Sequence, residues 1–195
     1  MMREPVARAF SQYQMVTSTE GTPEQLKNRG FEWRGMSFRE VVRKEMEALK
    51  ECGLIPYWDI EQGTMDPKVF ESFFGSKEED AAYDRFLQSI PLLTGSHSLI
   101  VRGLYALQLR PWFKFFPRNR FLVIKLEDMQ NVMAVMENVW EHLNLPHYTV
   151  EDASVKNSRE YDPVEDDIRD YLRRFFAPHN HALSQLLDVT TWRYD

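Results

Sequence analysis

The chain has 195 residues, 43% hydrophobic and 13% aromatic, with a formal net charge of −6 and one cysteine. This is enough apolar material for one packed domain. The acidic balance argues against general affinity for nucleic acid or an anionic membrane, so an anion site has to be built locally. Cys52 alone excludes an intrachain disulfide framework and multi-cysteine zinc sites. No apolar run approaches the roughly 18 residues of a membrane span, and no charged start followed by an apolar core announces a signal peptide.

Taken in chain order, Pro5 suits the first turn of a helix, where its missing N–H costs nothing. Arg3 then sits at the helix mouth, and Arg8 and Ser11 lie three apart on one face. Two guanidiniums and a hydroxyl are expected to converge on an anion there, helped by the free N–H groups and partial positive charge of the helix start. Residues 17 to 36 read as an exposed loop. Ser37 and Glu40 form a capping box, and Phe38, Val41, Val42, Met46, Leu49 and Cys52 continue at helical spacing to a stop at Gly53.

Residues 54 to 98 divide into short apolar pieces, and the acidic run from Ser76 to Asp84 is expected to face solvent. Leu99 to Phe116 reads as a long helix that Pro111 interrupts. Phe121 to Leu126 is the clearest strand, a nearly continuous apolar run suited to a buried parallel sheet. Asp128 is placed to cap a helix carrying Val132, Met136, Val139, Trp140 and Leu143, which stops near Pro146. A last helix carries Ile168, Leu172, Phe175 and Phe176, with a break at Pro178 before Leu183, Leu186 and Leu187. His179 and His181 sit two apart, which sends their rings to different sides of a helix, so no metal site is expected. One strand among long amphipathic helices points to an α/β layered domain.

The order Arg3-x-Pro5-x-x-Arg8-Ala9-Phe10-Ser11-x-Tyr13 resembles the 3′-phosphate-binding segment of the sulfotransferases that use 3′-phosphoadenylyl sulfate (PAPS), above all the carbohydrate, heparan sulfate-type branch. The resemblance assigns the 3′-phosphate to Arg3 and Ser11. Three further blocks extend it over nearly the whole chain. The first is Arg102-Gly103-Leu104-Tyr105 running to Trp112, Phe116-Pro117, the strand and Glu127-Asp128, where Arg102 and Tyr105 are candidate substrate contacts. The second is Lys156-Asn157-Ser158-Arg159-Glu160-Tyr161, similar to a loop that folds over the nucleotide, so Lys156, Ser158, Arg159 and Tyr161 become candidate nucleotide contacts. Ser158 stands where many members have Gly and Glu160 where some have Lys; both departures weaken phosphate cradling. The third is Phe175-Phe176 to Asn180, with Trp192, whose family role is packing.

The resemblance implies a three-layer, P-loop-NTPase-like α/β fold and sulfuryl transfer from PAPS to a hydroxyl or amine of a carbohydrate acceptor. Positioning and charge neutralisation do most of the work in such a transfer. The family's lysine-bearing 5′-phosphosulfate cradle lies upstream of the Arg-x-Pro segment, so residues 1–195 read as the C-terminal part of one sulfotransferase domain, predominantly helical with few parallel strands. Met15 stands where some members have a His, and no catalytic base is assigned. The competing readings are a pseudoenzyme that binds PAPS or its product 3′-phosphoadenosine 5′-phosphate (PAP), and a non-catalytic helical interaction module. The resemblance implies a Golgi lumen location for a eukaryotic member and cytoplasm for a bacterial one.

Overall fold

Across residues 1–89, 95–154 and 162–189, the residues that this computed structural model describes, the backbone forms eight α-helices and one two-stranded hairpin. The helices are α1 (Pro5–Thr17), α2 (Pro23–Arg29), α3 (Phe38–Glu51), α4 (Pro67–Phe73), α5 (Lys77–Ser89), α6 (Tyr105–Phe115), α7 (Val132–Leu143) and α8 (Asp166–Leu187). Strands β1 (Trp58–Asp59) and β2 (Thr64–Met65) pair antiparallel, Trp58 opposite Met65.

α3 follows its sequence pattern closely. The hydroxyl of Ser37 accepts from the Glu40 N–H, the Glu40 carboxylate accepts from the Ser37 N–H, and Phe38, Val41, Val42, Met46 and Leu49 are buried. Cys52 closes the helix, and Gly53, at φ +74°, turns the chain where an L side chain would be strained. α8 is the long central helix. Leu172, Phe175 and Phe176 on it are almost fully buried, and Trp58 meets Tyr171 and Phe175 edge to face at 5.5 and 5.1 Å. Burying an aromatic side chain of this size contributes about 1.5–3 kcal/mol, so this cluster, with Met46, Leu49 and Phe86, is the main support of the domain.

Several expectations change. The region read as loop between residues 17 and 36 contains α2, started by a Thr22–Gln25 capping box with Pro23 at its first position. The acidic run is the first half of α5, and Glu79 within it is buried, paired to Arg110 at 2.5 Å and accepting the Gly75 N–H at 2.7 Å. The long helix expected from Leu99 begins only at Tyr105, after a 3₁₀ turn over Val101–Gly103, and then runs through Pro111. α8 likewise runs through Pro178 without a break. α7 is capped by Asn131 rather than Asp128.

The largest change concerns the strand. Residues 121–125 are extended, but their only pairing among the described residues is one parallel bridge, Lys125 opposite Met2. A strand needs a ladder on at least one side, and an apolar run without partners stays half-exposed. The parallel α/β sheet is therefore reduced to that bridge, and the described fold is helical. Among the described residues no helix is long and apolar enough to cross a membrane.

Candidate functional site

Three consecutive residues at the head of α1 are each fastened to a distant part of the chain. The Met2 N–H donates to the Ile124 carbonyl at 2.8 Å, and the Leu126 N–H donates to the Met2 carbonyl at 2.6 Å. The Tyr105 hydroxyl donates to the Arg3 carbonyl at 2.8 Å and accepts the Arg3 N–H at 3.3 Å. The Glu4 N–H donates to Glu127 Oε1 at 2.9 Å. Burial pushes the Tyr105 phenol up, so it stays protonated and keeps its donated bond at neutral pH.

The helix mouth itself is not free for an anion. The Glu4 carboxylate accepts from the N–H groups of Val6 at 3.0 Å and Ala7 at 2.5 Å, which corrects the expectation that these backbone donors face a phosphate. Arg8 is corrected too. It points inward, with Nη1 donating to Gln12 Oε1 at 2.9 Å and Nη2 donating to the Leu99 carbonyl. An arginine committed in this way is a brace, and the convergence of two guanidiniums does not occur. Among the described residues the Arg3 guanidinium and the Ser11 hydroxyl make no hydrogen bond or ion pair, so both are available to a ligand. Ser11 lies six residues into α1 from Pro5, about 9 Å along the helix axis, a span that only the long side chain of Arg3 shortens.

The second wall is the segment from Gly95 to Tyr105. Gln12 Nε2 donates to the carbonyls of Gly95 at 3.1 Å and His97 at 2.9 Å, while Glu45 of α3 accepts the N–H groups of Leu99, Ile100 and Val101 at 2.5, 2.8 and 3.1 Å. Burial pushes the Glu45 carboxyl up, against the pull of those three donors and Arg8. The 3₁₀ turn that follows exposes Arg102. Gly103 packs so closely that an added Cβ would lie 2.8 Å from the Phe176 ring and 3.1 Å from Pro5, so the turn seats directly on α1 and α8. Arg3, Arg102, Tyr105 and Glu45 all lie close enough to act electrostatically on Arg8, and Glu4 and Glu127 act on Tyr105, so three arginines and three glutamates gather in this corner.

Of the residues expected from sequence, Tyr105 holds the Arg3 backbone, Arg3 and Arg102 both act on Arg8, and Ser11 stands half-buried on α1, the helix that Arg3 precedes. Lys156, Ser158, Arg159 and Tyr161 lie outside the described residues. Glu127 belongs to the acidic end of the first motif block, whereas the sequence does not single out Gln12 or Glu45; Glu45 is one more charge in a polar stretch of α3, and nothing local announces a partner 54 residues away. His179 is buried, its Nε2 2.9 Å from the Tyr57 hydroxyl, whereas His181 is exposed beside Gln185. A groove of about 1070 Å³ along the hairpin is lined by Glu47, Asp59, Glu61 and Asp66 with Lys50 and Lys68, a balance unsuited to a polyanion.

The sequence is similar to those of several known sulfotransferases. Carbohydrate sulfotransferase 15 of Mus musculus is 34% identical over 203 residues, covering 96% of this chain and 29% of the relative. Carbohydrate sulfotransferase 15 of Nototodarus sloanii is 30% identical over 113 residues, covering 52% of this chain and 68% of the relative. The bifunctional heparan sulfate N-deacetylase/N-sulfotransferase 3 of Homo sapiens is 29% identical over 112 residues, covering 45% of this chain and 13% of that protein. The chain spans less than a third of the length of the mouse relative. No family model matches the chain, and no solved structure matches it. With a relative at 30% identity matched over two thirds of its length, and the Arg-x-Pro segment held against the Arg-Gly-x-Tyr turn, the chain belongs to the carbohydrate sulfotransferase family.

Proposed function

We propose that this chain recognises PAPS through its 3′-phosphate and takes part in sulfuryl transfer to a hydroxyl or amine of a glycan, with residues 1–195 forming part of one sulfotransferase domain. In such a transfer the sulfur–oxygen bond to the 5′-phosphate breaks, a new one forms to the acceptor, and the acceptor proton is lost to a base. Arg3 supplies a bidentate fork to the 3′-phosphate and Ser11 a hydroxyl donor. Lys156, Ser158, Arg159 and Tyr161 close over the nucleotide, and Arg102 and Tyr105 lie on the acceptor side. The observation that carries this reading is the clamp of Tyr105 on both backbone groups of Arg3, which fixes the start of the arginine side chain while leaving its guanidinium uncommitted.

Titration with PAP tests it. Hydrogen bonds to charged groups contribute roughly 1.5–3 kcal/mol, so Arg3→Ala weakens PAP binding by about one to two orders of magnitude and Ser11→Ala by less. Adenosine 5′-phosphosulfate, which has no 3′-phosphate, is the control. Equal weakening of both ligands would show that Arg3 and Ser11 do not read the 3′-phosphate, and no PAP binding by the wild-type chain would favour the interaction-module reading.

A further inference from the structure

Residues 110–125 differ from the rest of the chain in composition. They carry five cations (Arg110, Lys114, Arg118, Arg120 and Lys125), five aromatic rings and no acid, in a chain whose net charge is −6. Two of the cations are spoken for within the fold: Arg110 pairs with Glu79 and Asp80, and Lys114 with Asp80. Arg118 and Arg120 are not. Both are exposed on the 3₁₀ turn Arg118–Arg120 that follows Pro117. Arg118 lies over the Phe113 ring at 5.5 Å and donates to the Phe121 carbonyl at 2.9 Å, and the Arg120 guanidinium makes no hydrogen bond or ion pair among the described residues.

Beside these charges lies an uncovered aromatic face. Trp112, Phe115 and Phe116 stand three and four positions apart at the C-terminal end of α6, which puts them on one side of the helix. All three are exposed, Phe115 to 81%. Trp112 and Phe116 stack with centroids 6.0 Å apart and rings inclined by 28°, and Phe116 meets Phe121 at 6.3 Å, which ties the turn carrying the arginines to the aromatic face. Contiguous exposed apolar side chains of this kind mark a surface that another phase or partner covers.

The pairing of charge with rings selects the occupant. A second copy seated across a two-fold axis would set the same arginines against each other. A soluble polyanion would pair with the arginines and leave Phe115, which projects from the surface, in water. An anionic bilayer meets both demands, because headgroup phosphates and carboxylates accept from guanidiniums while aromatic rings enter the boundary between headgroups and acyl chains. We propose that the end of α6 and the 3₁₀ turn after it form a docking surface for an anionic lipid bilayer, with Trp112, Phe115 and Phe116 inserting and Arg118 and Arg120 pairing with headgroups. The net negative charge of the chain repels the same bilayer from its other faces, so docking is oriented. Neither the nucleotide nor the glycan reading above is needed for this inference.

The test uses the 195-residue chain with sedimenting vesicles of phosphatidylcholine containing about one third phosphatidylserine, beside vesicles of phosphatidylcholine alone. The expected result is binding to the anionic vesicles at least about tenfold tighter than to the neutral ones, reversed by salt at about 0.5 M. Arg120→Gln weakens it about fivefold and Phe115→Ser about tenfold, with urea midpoints unchanged, whereas Lys44→Gln, which removes an exposed cation from α3, changes it less than about twofold. Insertion has its own signature. Trp33, Trp58 and Trp140 are buried, so quenching of tryptophan fluorescence by phosphatidylcholine brominated on its acyl chains reports Trp112 and disappears in Trp112→Phe. No binding to the anionic vesicles, or equal losses in Arg120→Gln and Lys44→Gln, overturns the proposal. Binding without acyl-chain quenching, or tighter binding to poly(U) than to vesicles, shows a surface for soluble polyanions and overturns it as well.

Discussion

Two regions of this molecule are both rich in apolar residues and have opposite fates. In α3, the hairpin and α8, the apolar residues find one another: Trp58, Met46, Leu49, Leu172, Phe175 and Phe176 are each no more than 1% exposed. In residues 112–148 they touch one another in places, Phe113 against Phe121 at 4.9 Å, but most stay uncovered. Phe115 is 81% exposed, Trp112 56%, Leu143 56% and Tyr148 65%, and α7 buries only Val135 and Trp140. The difference lies in the opposing layer. α8 has α6, α1 and the hairpin packed on it, whereas among the described residues the extended run 121–125 pairs its backbone with one residue, Met2, and sets only Phe121 against Phe113 and Phe116 and Val123 against the Leu183–Leu187 cluster. Hydrophobicity sets which face seeks cover; only a second element converts it into stability.

The sharpest way to break this comparison is to truncate one side chain from each stretch. Phe175→Ala removes an aromatic ring from the centre of the core and costs about 3–5 kcal/mol by denaturant unfolding, whereas Leu143→Ala stays within about 0.5 kcal/mol. Similar losses at the two sites would show that the second stretch is packed in solution.

A second test uses the buried polar pair inside the well-packed half. His179 sits among Tyr57, Phe70 and Phe175, and burial lowers its pKa from the ordinary 6.5 to about 3. The unfolded chain therefore binds a proton below about pH 6.5 that the folded chain refuses. Stability is complete above that pH and falls by about 1.4 kcal/mol per unit as pH drops from about 6.5 towards 3. In the double variant Tyr57→Phe, His179→Phe, which removes both polar partners together, this contribution disappears. Urea midpoints at pH 7 and pH 5 read the difference, and an unchanged slope in the double variant would refute the assignment.

The smallest expected effect belongs to the exposed half. Phe115→Ser changes stability by less than about 0.5 kcal/mol but reduces self-association seen by light scattering, because an uncovered apolar patch is sticky without being structural.

How much of this was legible in the sequence follows the same division. α3 was readable because capping, periodicity and stop agree: Ser37, the Val41–Met46–Leu49 stripe and Gly53 all make the same statement. α2 carried a readable signal in Thr22, Pro23 and Gln25, masked by its polar composition and the absence of any buried residue. Phe121 to Leu126 was misleading because strand propensity is local while a sheet is a pairing between distant segments. Pro111 and Pro178 were read as breaks, yet both helices continue, since packing of α6 against α8 outweighs one lost hydrogen bond in each. In the site, Arg3 and Tyr105 were visible as motif residues, but their mutual contact spans 102 positions and the inward turn of Arg8 depends on the Leu99 carbonyl. No local pattern encodes either.

The fastening of the α1 head has a consequence for the order of folding. Its partners lie 102 and 123 residues away, so each tie closes a very long loop, whereas α3 and the hairpin close short ones. Long closures carry a larger entropic cost and form late, after local elements are in place. The core is then expected to consolidate before Arg3 acquires its final position, and the head of α1 is the last part to arrive. Amides of Met2, Arg3 and Glu4 should gain protection from exchange more slowly during refolding than those of α3, giving a kinetic marker for the moment at which the α1 head locks onto the rest of the chain.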